Sequence, residues 1–320
     1  AMQRAAAGAA AVGVAAALYA LWRRKSRDPP PPDAALLISI EAVVFDCDGV
    51  IYKNAVAIPG IPEALSALRA AGKRIIFVTN AASASRASLA KKLAKLGIAG
   101  VTEKECVTSA WAAAQYLSTH HPNVKRAYVV GGGGLFDELQ LVNIEPVGGS
   151  DNDMGLEALH ASGGLEASLP IDAVVAGMQP EGLCYARLAK ASAYARDRKR
   201  PFVGTNPDNT WPGGATELLP AGGCNVKYVS FAADREPDAI VGKPRLEFAQ
   251  LVAQLHGLKP GTTLMVGDRC NTDIAFGNGI GWKTMLVLSG CHSRADIAKA
   301  SSVEVPDYVA DSVADLAACL

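Results

Sequence analysis

Two aspartates stand two residues apart in the segment Asp46-Cys47-Asp48-Gly49, directly after an apolar run. Paired carboxylates at this spacing can hold a hard cation, and they can also divide a reaction, one attacking phosphorus while the other moves a proton. A simple D-x-D-G turn and a calcium-binding loop are the alternative interpretations. The EF-hand pattern is incomplete, however, because its twelfth position holds no Glu.

A second acidic pair, Asp268 and Asp273, follows a later apolar run, and its members are five residues apart. Carboxylate oxygens are the ligands that Mg²⁺ prefers, in an octahedral arrangement that keeps several waters. Either aspartate by itself could equally cap a helix or lie in its first turn. The two acidic pairs together therefore predict a metal site better than either pair alone.

Two further motifs carry groups that suit a phosphate. Thr79 and Asn80 follow another apolar run, and Lys243 stands between Gly242 and Pro244. A hydroxyl and neighbouring backbone N–H groups can hold phosphate oxygens, although Thr-Asn at the end of a strand is also typical of a helix cap. Lys243 would present a fixed positive charge to a phosphate, or it would be an ordinary surface lysine.

The elements that must position these motifs alternate between strand and helix. Buried strands are predicted at 42–45, 74–78 and 263–266, and each ends at one of the motifs. This alternation is typical of a doubly wound parallel sheet, in which the loops at the carboxyl ends of the strands meet in one crevice. The pattern further predicts a helix at 107–117 and a long turn-rich loop at 206–223.

The alternation of strand and helix patterns, and its change in the middle of the chain, predict an α/β fold with a doubly wound parallel-sheet core domain and a large inserted α/β cap domain. The predicted segments are an apolar segment with a Pro-rich spacer at 1–35, the first part of the core at 36–124, the cap at 125–238 and the second part of the core at 239–320.

The N-terminal segment differs in composition from the rest of the chain. Residues 5–22 form an uncharged apolar run that precedes Arg23, Arg24 and Lys25. This run is about as long as a minimal membrane-spanning helix, but Ala-rich basic N-termini are also typical of organelle targeting sequences. A membrane tether, targeting to a chloroplast or another organelle, and a cytoplasmic location all stay open. The prolines at 29–32 predict a stiff spacer that disconnects this segment from the fold.

Composition excludes several classes of function. The 320 residues carry 31 Lys+Arg and 31 Asp+Glu, so the net charge is zero and a nucleic-acid partner is not expected. The seven cysteines form no C-x-x-C pair and predict free thiols rather than a disulfide framework. The five histidines lack the spacing of a zinc site.

Taken together, the motifs resemble those of the haloacid dehalogenase superfamily, in particular the branch that holds phosphoglycolate phosphatase, pyridoxal phosphate phosphatase and the 4-nitrophenylphosphatases. The resemblance runs from about Ala42 to the C-terminus. Besides the motifs themselves, it rests on the segments 45–52, 59–60, 77–80, 204–206 and 265–269.

The resemblance implies a role for each acidic residue. Asp46 would be the nucleophile, and Asp48 would be the general acid/base, with its pKa raised by closure of the cap. Mg²⁺ would be bound by Asp46, by the backbone carbonyl of Asp48 and by Asp268, with Asp273 as an auxiliary residue. Asn271 departs from the pattern, because the branch often has an acidic residue there.

The resemblance also implies which residues hold the substrate. Phosphate would be bound by Thr79, Asn80, the backbone of Ala81 and Lys243. Ala81 departs from the pattern, since the branch usually has another Asn, and a backbone contact would survive that change. Trp211 would contact the leaving group, or it would pack at a domain interface.

The expected reaction is hydrolysis of a small phosphate monoester through an aspartyl-phosphate intermediate. The loop at 204–212 resembles the substrate-reading loop of this branch. Its sequence is more similar to that of phosphoglycolate phosphatases than to that of pyridoxal phosphate phosphatases, which implies 2-phosphoglycolate and a place in photorespiration. Glycerol 3-phosphate, pyridoxal phosphate and aryl phosphates are alternatives, and the branch implies a homodimer. A phosphomutase, a dehalogenase and a non-catalytic phospholigand-binding protein are the rivals, although a dehalogenase would not need Asp48.

Overall fold

The computed structural model describes residues 28–53, 55–149, 156–161, 170–212 and 217–320. The predicted apolar segment at 5–22 lies outside these ranges. Within them, no helix combines the length and the apolar character that crossing a lipid bilayer requires.

The strands are numbered in chain order through the described residues. They are β1 (Ala42–Phe45), β2 (Tyr52–Lys53), β3 (Val56–Ala57), β4 (Arg74–Thr79), β5 (Cys106–Thr108), β6 (Arg126–Val130), β7 (Glu145–Val147), β8 (Ala173–Ala176), β9 (Phe202–Gly204), β10 (Thr210–Pro212), β11 (Leu218–Pro220), β12 (Ala239–Ile240), β13 (Thr263–Gly267), β14 (Lys283–Val287) and β15 (Tyr308–Ala310).

The α-helices follow the same numbering. They are α1 (Ala34–Ser39), α2 (Ile61–Ala70), α3 (Arg86–Lys95), α4 (Ser109–His120), α5 (Gly133–Leu141), α6 (Leu156–Ala161), α7 (Tyr185–Arg196), α8 (Gly222–Ala233), α9 (Leu246–His256), α10 (Ala275–Gly279), α11 (Arg294–Lys299) and α12 (Val313–Ala317). A π-helix occupies Cys270–Ile274.

Two of the predicted elements were wrong. The helix predicted at 107–117 begins later, because β-branched Val107 and Thr108 belong to strand β5. The Thr108 side chain then caps helix α4 by accepting a hydrogen bond from the Trp111 N–H at 3.2 Å. The loop predicted at 206–223 contains the antiparallel hairpin of β10 and β11.

The chain divides into two compact units. The first comprises the described residues up to Lys53, residues 58–75 and residues 253–320, and the second comprises the described residues of 55–57 and 76–252. Both units contain parallel strands connected through helices, and the predicted α/β fold class is confirmed.

In the first unit, parallel strands lie in the order β15-β14-β13-β1. Strands β1 and β13 are buried along their whole length, as expected for parallel strands covered on both faces. Their register places Phe45 opposite Val266. The two strands therefore end side by side, and the residues that follow them, Asp46 and Asp268, start from neighbouring positions.

In the second unit, a parallel sheet has the strand order β12-β9-β8-β6-β7, and β4 pairs with β5, also in parallel. The core of this unit is apolar and includes Tyr128, Val174, Phe202 and Val226. Strand β9 ends at Gly204, where a Cβ would press into Val226, so only a residue without a side chain lets helix α8 approach this closely.

The boundaries of the two units differ from those of the predicted domains, in which the cap begins at 125 and the second part of the core begins at 239. Residues 76–124 group with the middle of the chain because helix α4 packs on helix α5. The backbones also approach closely there, since a Cβ at Gly134 would overlap the backbone of Ala84. The predicted boundaries stay predictions.

A buried ion pair strengthens the packing of helix α3 on helix α5. The Glu138 side chain is 1% exposed, and its carboxylate accepts hydrogen bonds from the Arg86 backbone N–H at 2.7 Å and from Arg86 Nε at 3.1 Å. The Arg86 guanidinium, whose side chain is 23% exposed, also lies over the ring of Trp111. A buried charge of this kind depends on its partner.

Replacing Glu138 should reveal that dependence. Glu138→Ala leaves the Arg86 guanidinium largely buried and without this carboxylate, so we expect a loss of about 3 kcal/mol in the free energy of unfolding by urea. The matched control is Glu145→Ala, because Glu145 pairs with Arg126 at 2.7 Å but is 59% exposed. That change should cost less than about 1 kcal/mol. Equal losses in the two variants would contradict the prediction.

The prolines before helix α1 attach to the fold instead of separating from it. The Pro30 carbonyl accepts a hydrogen bond from the Val309 N–H of strand β15 at 2.9 Å. Pro29 and Pro32 are also buried. The spacer interpretation was therefore wrong for these residues, which belong to the first unit.

Candidate active site

Asp46 stands at the first position beyond strand β1. Its N–H donates to the Val266 carbonyl at 2.9 Å, which extends the pairing with β13 by one residue. The side chain is 8% exposed. The sheet therefore holds the backbone of the predicted nucleophile rigidly, with its carboxylate largely removed from water.

A tight turn follows Asp46. The Cys47 carbonyl accepts the N–H of Ile51 at 2.8 Å and of Tyr52 at 3.2 Å, and the Gly49 N–H donates to the Tyr52 carbonyl at 2.8 Å. Gly49 has a φ of 80°, a left-handed conformation that favours glycine. The predicted sharp turn at Gly49 is confirmed, and it fixes Asp46 and Asp48 at the same end of the sheet.

Tyr52 fixes the second aspartate of the motif. Its hydroxyl donates to Asp48 Oδ2 at 3.1 Å, and the tyrosine is 2% exposed. Burial raises the pKa of Tyr52, and the neighbouring Cys47 and Asp48 raise it further. The phenol therefore stays protonated at neutral pH and orients Asp48 as a hydrogen-bond donor. No role was predicted for Tyr52. Its position four residues after Asp48 was the only feature of the local sequence that could have indicated this contact.

Asp273 and Asp268 are held by the backbone of the turn that follows β13. Asp273 Oδ2 accepts the N–H groups of Asp268 and Arg269, both at 3.1 Å. Asp273 lies in the first turn of the π-helix, as in the alternative interpretation of this residue. Asp268 Oδ2 accepts the Cys291 N–H at 2.8 Å. The turn therefore presents both carboxylates at the end of the same strand.

Two glycines make room for Asp268. A Cβ at Gly49 or at Gly290 would run into the Asp268 carboxylate, so both positions need a residue without a side chain. Gly49 was predicted from its motif, whereas nothing in the local sequence marks Gly290. Only the fold shows that the loop after β14 packs against Asp268.

Asp46, Asp268 and Asp273 form a cluster, which we term the carboxylate cluster. One oxygen from each lies within 4.8 Å of the others, and all three residues are buried. Burial raises the pKa of Asp268 to about 7, and the charge of Asp273 adds to the rise. Three buried carboxylates repel one another, and a hard divalent cation with oxygen ligands would remove that repulsion. The donor set therefore fits such a cation.

The second unit holds the residues predicted to bind phosphate. Thr79, at the end of strand β4, is 3% exposed, and its Oγ1 accepts the Ala81 N–H at 3.1 Å. Lys243 is 2% exposed, and its Nζ donates to the Val78 carbonyl at 3.0 Å. Lys243 is therefore not an ordinary surface lysine, because its ammonium group is drawn inward to the end of β4.

The Asn80 side chain is engaged by other parts of the protein. Its Oδ1 accepts the Lys243 N–H at 2.8 Å, and its Nδ2 donates to the Lys243 carbonyl at 3.1 Å and to Asp208 Oδ2 at 2.9 Å. These contacts use both amide protons, which are the side-chain groups that could donate to a phosphate. The Asn80 side chain therefore supports the Lys243 backbone, and the predicted contact of Asn80 with phosphate stays a prediction.

The structure also places the two remaining residues that the sequence singled out, Trp211 and Asn271. Trp211 is half-buried in strand β10, opposite Leu219, and its contact with a leaving group stays a prediction. Asn271 is exposed within the π-helix. The structure brings the other predicted residues together in two groups, the carboxylate cluster with Asp48 in the first unit and Thr79–Ala81 with Lys243 in the second.

Buried aspartates beyond neighbouring parallel strands, in an arrangement that fits a divalent cation, are typical of α/β enzymes with an acidic metal site. Comparison with known proteins narrows this class. Residues 43–145 match the family described as haloacid dehalogenase-like hydrolase, and residues 240–316 match one described as HAD-hydrolase-like.

Three proteins illustrate the similarity. The glycerol-3-phosphate phosphatase of Homo sapiens is 39% identical over 88% of this chain and 91% of its own length. Phosphoglycolate phosphatase 2 of Arabidopsis thaliana is 34% identical over 88% of this chain and 94% of its own length. The structure of a glycerol phosphate phosphatase from Mycobacterium tuberculosis in complex with magnesium has a TM-score of 0.73 and 28% identity, covering 88% of this chain and 77% of that one.

The chain therefore belongs to the haloacid dehalogenase-like hydrolase family, in the branch of phosphatases that the motifs predicted. It is an enzyme of the phosphoric monoester hydrolase class.

Proposed function

We propose that this protein is a Mg²⁺-dependent phosphatase that hydrolyses a small phosphate monoester through an aspartyl-phosphate intermediate. The observation that carries the proposal is the carboxylate cluster. In it, a carboxylate oxygen of Asp46, the predicted nucleophile, lies within 4.8 Å of two further buried carboxylate oxygens. Mg²⁺ would be held by Asp46, Asp268, the backbone carbonyl of Asp48 and, as an auxiliary residue, Asp273. When bound, it supplies positive charge that offsets the repulsion between carboxylates and phosphate.

The chemical steps belong to two aspartates. The Asp46 carboxylate attacks phosphorus, forming an O–P bond while the bond from phosphorus to the leaving oxygen breaks. Asp48 gives its proton to that oxygen and then takes a proton from water, which attacks the aspartyl-phosphate and releases inorganic phosphate. The Tyr52 hydroxyl, 3.1 Å from Asp48 Oδ2, holds the acid/base in one orientation through both steps.

Binding of the phosphoryl group is assigned to the second unit. Lys243 supplies a positive charge, and the Thr79 hydroxyl supplies a hydrogen-bond donor. The Ala81 N–H, which donates to Thr79 Oγ1 at 3.1 Å, would turn to the phosphate when substrate binds. Burial of Lys243 and Thr79 supports this role, because charge and hydrogen bonds act more strongly where water is excluded.

We propose 2-phosphoglycolate as the substrate, because the loop that begins Gly204-Thr205-Asn206-Pro207-Asp208 resembles that of phosphoglycolate phosphatases more than that of pyridoxal phosphate phosphatases. A relative that carries that name is 34% identical. Glycerol 3-phosphate is the second candidate, favoured by the 39% identity to a phosphatase named for it. A role in photorespiration follows only from the first.

The reaction and the substrate can be tested in one assay of inorganic phosphate release. With 4-nitrophenyl phosphate we expect EDTA to lower the rate at least about 100-fold and added Mg²⁺ to restore it. The kcat/KM for 2-phosphoglycolate should exceed that for pyridoxal phosphate about tenfold. A higher value for glycerol 3-phosphate would select the second candidate. No release from any of these esters in the presence of Mg²⁺ would show the proposed function to be wrong.

Assembly and location are also proposals. The β10–β11 hairpin exposes Leu218 and Leu219, by 64% and 40%, which supports a homodimer that covers them. Light scattering of the full chain measures this state. The apolar run at 5–22 with the basic residues after it supports a membrane tether or an organelle targeting segment, and vesicle flotation of the full chain distinguishes the two.

A further inference from the structure

The backbone of Lys243 is held by a single amide side chain. Asn80 Oδ1 accepts the Lys243 N–H at 2.8 Å, and Asn80 Nδ2 donates to the Lys243 carbonyl at 3.1 Å, so the amide pairs with both backbone groups of one residue. The amide orientation is fixed by these partners, because a flipped side chain would set oxygen against oxygen. The position of the Lys243 backbone therefore depends on the orientation of Asn80.

Asp208 provides the remaining contact of this amide. Its Oδ2 accepts the second proton of Asn80 Nδ2 at 2.9 Å, across 128 positions of sequence. A hydrogen bond to a carboxylate is stronger than one between neutral groups. Asp208 therefore strengthens the orientation of Asn80 that the Lys243 backbone groups also require, and through Asn80 it acts on Lys243.

The backbone of Asp208 is itself rigid. Its N–H donates to Asn206 Oδ1 at 3.1 Å, and its carbonyl accepts the Gly223 N–H at the start of helix α8 at 2.9 Å. A Cβ at Gly223 would overlap the Asp208 carbonyl, so the loop lies directly on that helix. Asn206 Nδ2 in turn donates to the Asn80 carbonyl at 3.0 Å. The loop at 204–212 is thus joined to Asn80 at two points.

We propose that Asp208 is a positioning residue for phosphate binding. It acts through Asn80 on Lys243, and it thereby couples the loop at 204–212 to the lysine that is proposed to bind phosphate. The inference rests on the proposed role of Lys243 in the phosphatase reaction. It makes the loop that resembles the substrate-reading loop of the branch a structural support of phosphate binding as well.

The proposal separates binding from chemistry. A positioning residue that serves substrate and transition state alike changes KM more than kcat. In Asp208→Ala we expect the KM for 4-nitrophenyl phosphate and the inhibition constant of inorganic phosphate to rise about tenfold, which is the loss of one charge-assisted hydrogen bond. The kcat should fall less than about threefold, since the proposal gives Asp208 a role in holding Lys243 and none in the chemical steps.

Rescue and coupling distinguish positioning from general loss of structure. Asp208→Asn keeps an acceptor oxygen for Asn80 and should restore both constants to within about threefold of wild type. The double variant Asn80→Ala/Asp208→Ala should bind phosphate no more weakly than Asn80→Ala alone. The reason is that Asn80→Ala already removes the hydrogen bond between Asn80 and Asp208, so losing Asp208 as well has no further effect. Asp172→Ala is the matched control, since Asp172 accepts the backbone N–H of Lys125 and of Arg126, both at 2.9 Å, elsewhere in the same unit. It should leave both constants unchanged.

The outcomes separate this inference from the proposed function. An active wild type whose Asp208→Ala variant keeps both constants within about twofold, or a double variant with additive losses, would overturn the role of Asp208 alone. A wild type without phosphatase activity would overturn both.

Discussion

Asp46→Asn should lower turnover at least about a thousandfold while the protein stays folded. The amide of asparagine is a poor nucleophile, so the O–P bond of the intermediate would not form. The fold should survive because the substitution keeps the shape of the side chain and the backbone hydrogen bond of Asp46 to the Val266 carbonyl at 2.9 Å. Release of phosphate from 4-nitrophenyl phosphate and thermal unfolding by circular dichroism measure the two expectations.

The comparison variant for Asp46 is Asp315→Asn. Asp315 belongs to the capping box of helix α12 in the same unit, where its carboxylate accepts the Ser312 N–H at 3.0 Å. Turnover of this variant should equal that of wild type. Mass spectrometry of wild type stopped during turnover should show one added phosphoryl group, and Asp46→Asn should show none. If Asp46→Asn kept more than about 5% of the wild-type rate, Asp46 would not be the nucleophile.

The acidic residues could be predicted from sequence because their positions follow from local pattern. A buried strand shows itself as a short apolar run, and the residue after it lies at the end of the sheet. Asp46 and Asp268 both satisfy this rule, and the pairing of β1 with β13 then brings them together. No contact beyond that strand pair is needed for the prediction.

Other contributions depend on contacts between distant parts of the chain, and no local pattern reveals them. Gly290 is required because its loop packs on Asp268, and Asp208 is joined to Asn80 across 128 positions. A motif showed that Asn80 matters but not what it touches. The fold shows that the Asn80 side chain contacts Lys243 and Asp208, and its predicted contact with phosphate stays a prediction.

The same distinction explains the errors in secondary structure. Val107 and Thr108 precede an Ala-rich helical run, and the helical spacing concealed a strand of three residues, which pairing with β4 stabilises. The prolines at 29–32 read as a spacer because proline lacks an N–H, yet a proline carbonyl can still accept a hydrogen bond. Pro30 does so from Val309 in strand β15.

Asp268→Asn should raise the thermal stability of the metal-free protein at pH 8 and abolish its response to Mg²⁺. Burial and the charge of Asp273 raise the pKa of Asp268 from 3.8 to about 7 in the folded protein. In the unfolded chain the carboxyl group ionises near its ordinary value. Folding therefore becomes less favourable as pH rises from about 4 to about 7, and above that range the full penalty for the buried charge remains.

An amide at this position carries no charge, so it avoids the penalty. Its oxygen can still accept the Cys291 N–H, which lies 2.8 Å from Asp268 Oδ2, and its NH₂ group can donate to a neighbouring carboxylate. With EDTA at pH 8 we expect the Tm of Asp268→Asn to exceed that of wild type by at least ~3 °C. At pH 5, which lies nearer the lower end of this range, the difference should be smaller than at pH 8.

Mg²⁺ should reverse the order of the two proteins. We expect it to bind the folded wild type at the carboxylate cluster and to raise its Tm by mass action, whereas the variant would lack one of the proposed ligands and should respond little. Asp307→Asn is the matched control, because Asp307 Oδ2 accepts the Thr284 N–H at 3.0 Å in the same unit but lies outside the cluster. It should gain no stability in EDTA and should keep the response to Mg²⁺. If Asp268→Asn melted below wild type in EDTA at pH 8, or responded to Mg²⁺ as wild type does, charge repulsion would not be what the metal relieves.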